Sequence, residues 1–251
     1  MIRLILPPSE TKREGGAPGS ALDLSQLAFP ELTAARAAVV DAAVELAGDA
    51  EATVRALKLG PKQADEVARN REIATSPTMP ALHRYTGVLY DALDAPSLPE
   101  DAWERARRSV LVHSALLGPV GAGDPVPAYR LSHDSRLPGL PLKRHWRADA
   151  AAALAALGEP VLDLRSEGYV GLGPLDGVAE SAYLRVVAEG PDGRRRALNH
   201  FNKQGKGRFV RRLLLDGAEP RGLDELLDWA AGDGVPLERT GERELTLVAE
   251  H

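Results

Sequence analysis

The sequence contains no cysteine, few aromatic residues and no long apolar run. Among its 251 residues, none is cysteine, two are methionine and 4% are aromatic. The lack of cysteine excludes a disulfide framework, a thiolate zinc site and a thiol nucleophile. No stretch approaches the roughly 20 apolar residues that span a bilayer. We therefore expect a cytoplasmic protein without a membrane partner, long enough to bury a core without covalent staples.

The first residues, MIRLILPPSE, predict a buried strand and not a secretory signal. A signal peptide has a longer apolar region and a small-residue cleavage site. Here the apolar run meets Pro7 and Pro8 at once, and proline ends a strand.

The charges are unevenly distributed along the chain. The formal net charge is −5, which argues against a protein covered by nucleic acid, because phosphate contacts need clustered Lys and Arg. Basic residues nevertheless concentrate in 105–108, 143–147 and 194–212. An acidic body with a basic groove fits this distribution.

The spacing of apolar residues predicts a mixture of strands and helices. We predict strands over 2–6, 109–117, 160–166, 182–189, 195–201 and 245–250, and helices over 31–48, 51–57, 62–74, 146–157, 207–216 and 223–231. Because strands and helices do not alternate strictly, the fold class is α+β, a mixed α/β arrangement. One domain over 1–251 is expected to have a mixed β-sheet core flanked by helices, with a small helical subregion over 31–76.

Three local features refine this prediction. The turn GPDG at 190–193 predicts a hairpin between the strands at 182–189 and 195–201. The Gly- and Pro-rich stretch 118–141 predicts a long functional loop. The final strand is expected at an edge of the sheet.

The segment HFNKQGKGRFVRRLL, which starts at His200, carries the densest chemistry. Gly205 and Gly207 flank Lys206 at the predicted start of a helix, where first-turn amides are free donors for an anion. Lys203 and Lys206 would add charge to that site. The basic residues opposite the apolar helix face are Arg208, Arg211 and Arg212. The alternative is an amphipathic helix with an ordinary solvated basic face.

Two further segments place polar groups at strand ends or on a rigid loop. Ser9, Thr11 and Lys12 follow the first strand, where ligands bind in mixed sheets; a proline stop with a helix cap is the alternative. Tyr129 and Arg130 follow two prolines, and Arg130 suits either a phosphate fork or a structural ion pair.

Candidates for catalysis are sparse. Glu167 and Tyr169 follow Ser166 at a predicted strand end, and they suit a general base and a positioning group, or an ordinary turn capped by Ser166. His113 and Ser114 are adjacent in a strand and so point to opposite faces; we predict a satisfied core histidine. Scattered histidines predict no metal and no cofactor.

Two remaining basic segments have a structural alternative. LKLGPKQADEV, at 57–67, is similar to a helix-hairpin-helix, in which Lys58, Gly60 and Lys62 would contact a DNA phosphate. Plain packing of two helices is the alternative. Trp146 lies among cations in Lys143–Arg147, and we favour a core position over base stacking.

Six segments in order resemble the YaaA peroxide stress family. They are LILPPSETK, YTGVLYDAL, VHSALLGPVGAGDPVPAYRLSHDSRLPG, LKRHW, VLDLRSEGY and HFNKQGKGRFVRRLL. The chain departs from the family pattern at Glu10, where many members carry Lys, and at Gly205–Arg208, which replaces the tripeptide Ala-Arg-Gly.

The resemblance implies a cytoplasmic protein that limits damage by hydrogen peroxide and is linked to lower free iron. It also implies binding of double-stranded DNA through a positively charged cleft, with a helix-hairpin-helix and a family-specific mixed α/β fold. The cleft residues carried over by resemblance are Ser9, Thr11, Lys12, Tyr129, Arg130, Ser166, Glu167, Tyr169, Lys203, Lys206 and Arg208.

The chemistry of these segments leaves two other functions open. Glu167, Tyr169, His200 and Asn202 beside cations suit an enzyme that acts on a small phosphorylated or nucleobase-containing ligand in the same cleft. An iron-handling or scaffold protein ranks last, because few candidate metal ligands cluster in the sequence.

Overall fold

The protein folds around an eight-stranded mixed sheet, seen in a computed structural model that describes residues 1–60, 63, 65–189, 195–197 and 199–249. The strands are β1 (Arg3–Leu6), β2 (Met79–Pro80), β3 (Val110–Ser114), β4 (Gly118–Gly121), β5 (Pro125–Val126), β6 (Val161–Asp163), β7 (Ser181–Glu189), β8 (Arg195–Ala197), β9 (Leu237–Gly241) and β10 (Glu244–Ala249). Of these, β2 and β5 form a separate two-stranded sheet.

Ten α-helices surround the sheet within the described part of the chain. They are α1 (Thr33–Leu46), α2 (Ala50–Leu57), α3 (Asp65–Arg71), α4 (Ala81–Arg84), α5 (Val88–Leu93), α6 (Glu100–Ser109), α7 (Leu142–Ala155), α8 (Glu167–Val170), α9 (Asn199–Asp216) and α10 (Leu223–Gly232). The mixed α/β fold predicted from the sequence is confirmed.

Parallel strands form the centre of the sheet. The strand order is β4-β3-β1-β6-β7-β10-β9, with β8 paired to β7. Strand β1 pairs in parallel with β3 on one side and β6 on the other, so that Leu4 lies opposite Val110 and Leu162. The antiparallel pairs are β3–β4, β9–β10 and β7–β8. Because β1, β3 and β6 are parallel, their carboxyl ends meet at one edge.

Both faces of β1 are buried, which explains its continuous apolar sequence. Leu4 and Leu6 belong to the large apolar cluster, which also contains Phe209 of α9. Ile5 points to the opposite face, where it joins a smaller cluster with Leu154 of α7. Side chains alternate between faces along a strand, so β1 connects the two cores.

Helix α9 begins earlier than the sequence predicts. The predicted strand to residue 201 ends at Ala197, and α9 starts at Asn199 instead of Gly207. Gly205–Gly207 therefore lie inside the helix. The prediction that they form the N-terminus of the helix, with free backbone amides, is wrong. A Cβ at Gly207 would lie 2.2 Å from the Leu89 carbonyl oxygen of α5. The glycine allows α5 and α9 to pack closely.

Other boundaries also differ from the prediction. Strand β10 lies between β7 and β9, so the edge strand is β9. The predicted loop over 118–141 contains β4 and β5. Helix α7 begins at Leu142 instead of Trp146. Strands β5 and β10 pair with partners distant in sequence, β2 and β7, whereas β4 pairs with the neighbouring β3. The predicted GPDG turn lies outside the described residues.

The helical subregion contains α1, α2 and α3. Lys58 ends α2 in the left-handed region, with φ of 55°, and its ammonium lies 2.5 Å from an Asp134 carboxylate oxygen. The Gly60 amide donates to Gln63 Oε1 over 2.8 Å. Lys62 lies outside the described residues. Contact between this turn and DNA stays a prediction. The assignment of this helical region as a subregion of a single domain also stays a prediction.

Among the described residues, no helix is both long and apolar enough to cross a bilayer.

Candidate functional site

The segment after β1 packs against the loop before α5. The hydroxyl groups of Ser9, Thr11 and Thr86 meet there and form what we call the hydroxyl lip. Ser9 Oγ lies 3.3 Å from Thr11 Oγ1, and Thr86 Oγ1 donates to Thr11 Oγ1 over 3.0 Å. Gly87 begins α5 with φ of 96°, and a Cβ there would lie 3.3 Å from Ser9 Oγ. Glycine is therefore needed for both the backbone angle and the close approach.

Lys12 points into the protein beneath this lip. Its side chain is buried, and Nζ donates to the carbonyl oxygens of Ser9, over 2.9 Å, and Glu10, over 3.3 Å. Nζ also lies 4.1 Å from the centre of the Tyr129 ring. Burial lowers the pKa of Lys12 to about 7; the Glu10 carboxylate opposes this effect and Arg130 adds to it.

A directed chain of hydroxyl groups runs behind Lys12. Ser114 Oγ accepts from the amides of Leu116 and Leu117, over 3.1 and 3.0 Å. Because a hydroxyl oxygen has two acceptor positions, its proton is left for the Tyr129 hydroxyl, 2.7 Å away. Tyr129 in turn donates to the Tyr85 hydroxyl over 2.8 Å. Burial raises the pKa of Tyr85 to about 12, so this chain stays protonated at neutral pH.

Arg130 and Glu10 form an ion pair at the rim of the same site. Arg130 Nε lies 3.3 Å from Glu10 Oε2, although the geometry falls short of a hydrogen bond. Asn70 holds the Arg130 backbone by accepting from its amide, over 2.7 Å, and donating to its carbonyl oxygen, over 2.8 Å. The structural ion pair is therefore present, at a position beside Lys12.

The two predicted catalytic candidates differ in exposure. Glu167 is exposed at the start of α8, and Ser166 occupies the N-cap position, as the alternative predicts, but makes no side-chain capping bond there. Tyr169 is buried against the His133 ring, with centroids 4.9 Å apart. Burial and then the Glu10 charge raise the pKa of Tyr169, so its phenol is protonated at neutral pH.

Helix α9 brings two further lysines to this edge. Lys206 is buried and donates to the Leu164 carbonyl oxygen, just after β6, over 2.9 Å. Burial lowers the pKa of Lys206 to about 8, and the Asp163 carboxylate opposes this shift. Lys203 lies one turn earlier on the helix and is exposed. Lys12 and Arg130 thus lie together after β1, and Lys206 contacts the residue that follows β6.

The three arginines of α9 lie elsewhere. Arg211 Nη1 donates to the carbonyl oxygens of Leu93 and Asp94 at the far end of α5. Arg212 Nε lies 2.5 Å from an Asp233 carboxylate oxygen. Arg208 is exposed and shares a surface groove with both. These arginines border a second surface, a groove that Asp216 and Asp233 also line.

The comparisons with known proteins decide the family. The family model described as peroxide stress protein YaaA matches residues 2–233. This chain belongs to the YaaA family. It is 40% identical over 250 residues to a UPF0246 protein of Corynebacterium glutamicum strain R, covering 98% of each chain. A UPF0246 protein of Streptomyces coelicolor is 46% identical over 241 residues, which cover 94% of this chain and 91% of the relative.

Membership in the YaaA family supports a role in oxidative stress. The resemblance seen in the six sequence segments is thus confirmed. A more distant relative, a UPF0246 protein of Dinoroseobacter shibae, is 28% identical over 245 residues and covers 92% of this chain.

In this YaaA-family chain, sequence reasoning missed a buried charge cluster next to the site. Arg165 is fully buried and donates to both carboxylate oxygens of Asp163, over 2.8 and 2.6 Å. Its Nη1 contacts the carbonyl oxygen of Gly173 and, at 2.6 Å, His113 Nδ1. The sequence signal for this cluster was the spacing Asp-Leu-Arg after an apolar run. Side chains two residues apart lie on the same face of a strand, so this spacing brings Asp163 and Arg165 together.

His113 is a core histidine, as the sequence predicts, but only half of its ring is satisfied. Arginine only donates, so Nδ1 is the acceptor and the proton of the neutral ring lies on Nε2. Nε2 is buried without a hydrogen-bond partner among the described residues. Burial, and then the Arg165 charge, hold the pKa of His113 well below its usual value of 6.5.

Trp146 also lies in the core, where Nε1 donates to the Ala115 carbonyl oxygen over 2.9 Å.

We expect this YaaA-family protein to lose stability on acidification because of His113. Below the unfolded pKa of 6.5 the unfolded chain binds a proton that the folded chain excludes. The free energy of unfolding should then fall by about 1.4 kcal/mol per pH unit until the folded pKa is reached. Urea denaturation of wild type and His113→Asn, measured from neutral to acidic pH, gives the contribution as a difference in slope. Equal slopes in the two proteins would contradict the assignment.

Proposed function

We propose that this protein acts in the peroxide stress response by binding duplex DNA in a positively charged cleft at the carboxyl ends of β1 and β6. The observation that supports the proposal is that Lys12 and Arg130 lie together after β1, while Lys206 contacts the residue that follows β6, the strand next to β1. Contacts from Lys and Arg to phosphate supply affinity that does not depend on base sequence. An acidic body with a basic cleft would direct a polyanion to this edge.

The cations differ in how they would act. Lys203 and Arg13 are exposed, and neither forms an ion pair with another described residue, so they suit direct phosphate contacts; Arg13 follows Lys12, and its amide donates to the Arg84 carbonyl oxygen. Lys12 and Lys206 are buried and would contribute through the local electric field. Lys58, Arg130 and Arg212 each pair with a carboxylate, which offsets part of their charge.

Replacing Lys203 or Arg13 with alanine is expected to weaken DNA binding. Removal of one cation that touches a phosphate should lower the slope of log affinity against log salt by about 1. Fluorescence anisotropy with a labelled duplex at several salt concentrations measures both quantities.

Arg239→Ala is the charge-matched control for these variants. Arg239 is paired with Asp224 and lies on β9, an edge strand distant in sheet order from β1. It should change affinity little and leave the slope as in wild type. An unchanged affinity and slope in the Lys203→Ala/Arg13→Ala double variant would overturn the proposed DNA surface.

A second candidate function is the binding of a small phosphorylated or nucleobase-containing ligand at the same edge. It is favoured by the burial of Lys12 against the Tyr129 ring, since a surface that only clamps a DNA backbone needs no buried amine. Thermal-shift measurements with a panel of nucleotides test it. Stabilisation by one nucleotide, with no stabilisation by duplex DNA, would favour this second function.

A further inference from the structure

The two hydrogen bonds of Lys12 need only two N–H donors on Nζ, which a neutral amine also has. Nζ has two oxygen acceptors, the carbonyl oxygens of Ser9 and Glu10. A neutral amine has two N–H groups and one lone pair, whereas an ammonium has three N–H groups and no lone pair. When both N–H groups bind the two carbonyl oxygens, the lone pair of the neutral amine is left free. Loss of the third proton of the ammonium therefore costs Nζ neither of these two hydrogen bonds.

The surroundings of Lys12 favour loss of its proton near neutral pH. The side chain is 8% exposed, and its Nζ lies 4.1 Å from the Tyr129 ring centre and 5.4 Å from that of Tyr85. Burial is the largest cause of its lowered pKa of about 7, and the neighbouring Arg130 charge acts in the same direction. Desolvation beside another cation is a known way of activating an amine that attacks carbonyl groups.

We propose that Lys12 is a carbonyl-reactive amine that forms a Schiff base with an aldehyde carrying a phosphate group. This inference rests on the proposed function, because it assigns a substrate class to the same site. The aldehyde would meet Nζ, and the phosphate would meet the neighbouring cation, Arg130.

The step balances without an oxidant or a reductant. The Nζ lone pair attacks the carbonyl carbon, and the carbonyl oxygen takes a proton and becomes a hydroxyl group. Nζ loses one proton, and the hydroxyl group leaves as water after protonation, so that a carbon–nitrogen double bond remains. Glu10 is placed to carry these protons: its charge is the strongest one acting on Lys12, and its Oε2 is buried without a hydrogen bond.

Two sources supply this chemistry. In duplex DNA, a deoxyribose that has lost its base opens to an aldehyde flanked by two phosphates. A small phosphorylated aldehyde presents the same two groups without the duplex. The clustering of Lys203 with Lys206 along α9 extends the positive charge beyond a single phosphate and favours the DNA source.

The test uses the full-length protein, a duplex with one abasic site, and borohydride to reduce the imine to a stable amine. We expect a covalent protein–DNA adduct on a denaturing gel, with peptide mapping placing the modification on Lys12. Its yield should rise with pH around a midpoint near the Lys12 pKa of about 7. An intact duplex, and a duplex with a tetrahydrofuran analogue that has no aldehyde, should give no adduct.

Matched variants separate Lys12 from the other amines. Lys12→Met should lose the adduct while keeping a cooperative thermal transition. Lys143→Ala should keep the adduct, because its amine lies beside Gly171 outside the hydroxyl lip. If Lys12→Met does not fold, the peptide map of the wild-type adduct decides. Modification of another lysine, or no adduct at all, would overturn the inference.

The outcomes distinguish this inference from the proposed function. Binding of the intact duplex without any reductive adduct would overturn the role of Lys12 and leave DNA binding in place. Failure to bind the intact duplex, together with an adduct at Lys12 from glycolaldehyde phosphate, would overturn DNA binding and support the amine chemistry with a small ligand.

Discussion

Asp163→Ala is expected to destabilise the protein by about 3–5 kcal/mol, because it leaves the Arg165 charge buried without its counterion. Arg165 is fully buried, and Asp163 accepts from Nε and Nη2 of Arg165 as well as from the Arg165 backbone amide. The remaining partners, His113 and Gly173, are neutral. The measurement is the free energy of unfolding from urea denaturation followed by circular dichroism.

The control for Asp163→Ala is an ion pair of similar geometry at the surface. Glu244 accepts from Arg185 Nε and Nη2, over 3.1 and 2.8 Å, and both side chains are accessible to solvent. Glu244→Gln should change stability by less than about 1 kcal/mol, since water and salt screen the pair. Equal effects of the two variants would mean that Asp163 does not compensate the Arg165 charge.

Gly207→Val is expected to cost at least about 3 kcal/mol, because the added side chain overlaps the backbone of α5. The new Cβ would lie 2.2 Å from the Leu89 carbonyl oxygen and 2.9 Å from the Ala92 Cβ. Backbone atoms cannot move aside as the end of a flexible side chain can, so α5 and α9 must separate. Thermal unfolding followed by circular dichroism should show a large fall in melting temperature.

Gly232→Ala is the control for Gly207→Val. Gly232 lies in α10, and a Cβ there would meet no atom within 4 Å. Alanine has the higher helix propensity, so this variant should match the wild type or gain up to about 1 kcal/mol. If Gly207→Val melted together with the wild type, the close contact between α5 and α9 would not contribute to stability.

Separation of α5 from α9 would also disturb the candidate site. The start of α5 carries Gly87, which supports the lip of Ser9 and Thr11, and α9 carries Lys206 next to Gly207. A single glycine contact thus couples the hydroxyl lip to the second buried lysine. We therefore expect loss of ligand binding in any folded fraction of Gly207→Val.

Local sequence patterns predicted the elements whose stability depends on neighbours along the chain. The run IRLIL predicted β1, and helical spacing of apolar residues predicted α1, α2 and α10 near their observed bounds. The polar residues after β1 were predicted to form a strand-end site, which stays a prediction; Lys12 and Arg130 lie close together there. These predictions depend only on periodicity and on the rule that ligands bind at strand ends.

The same local reading was wrong where a distant partner decides the outcome. Glycines at 205 and 207 indicated a helix start because glycine is a poor helix former in isolation. Their role is visible only once α5 lies against α9. The final strand, β10, was expected at an edge of the sheet. Instead, β9 pairs with the side of β10 that faces away from β7. Burial of Lys12 and Lys206 likewise depends on aromatic rings from other segments, Tyr129 and Tyr183.

The amino-acid sequence by itself determined the family, the α/β class and the positions of most chemically active side chains. Those properties follow from residue identity and short-range periodicity. The tertiary structure decided which cations share an edge of the sheet, which are neutralised by carboxylates, and which are buried with lowered pKa. These depend on long-range packing and desolvation, which change the chemistry of a lysine without changing its place in the sequence.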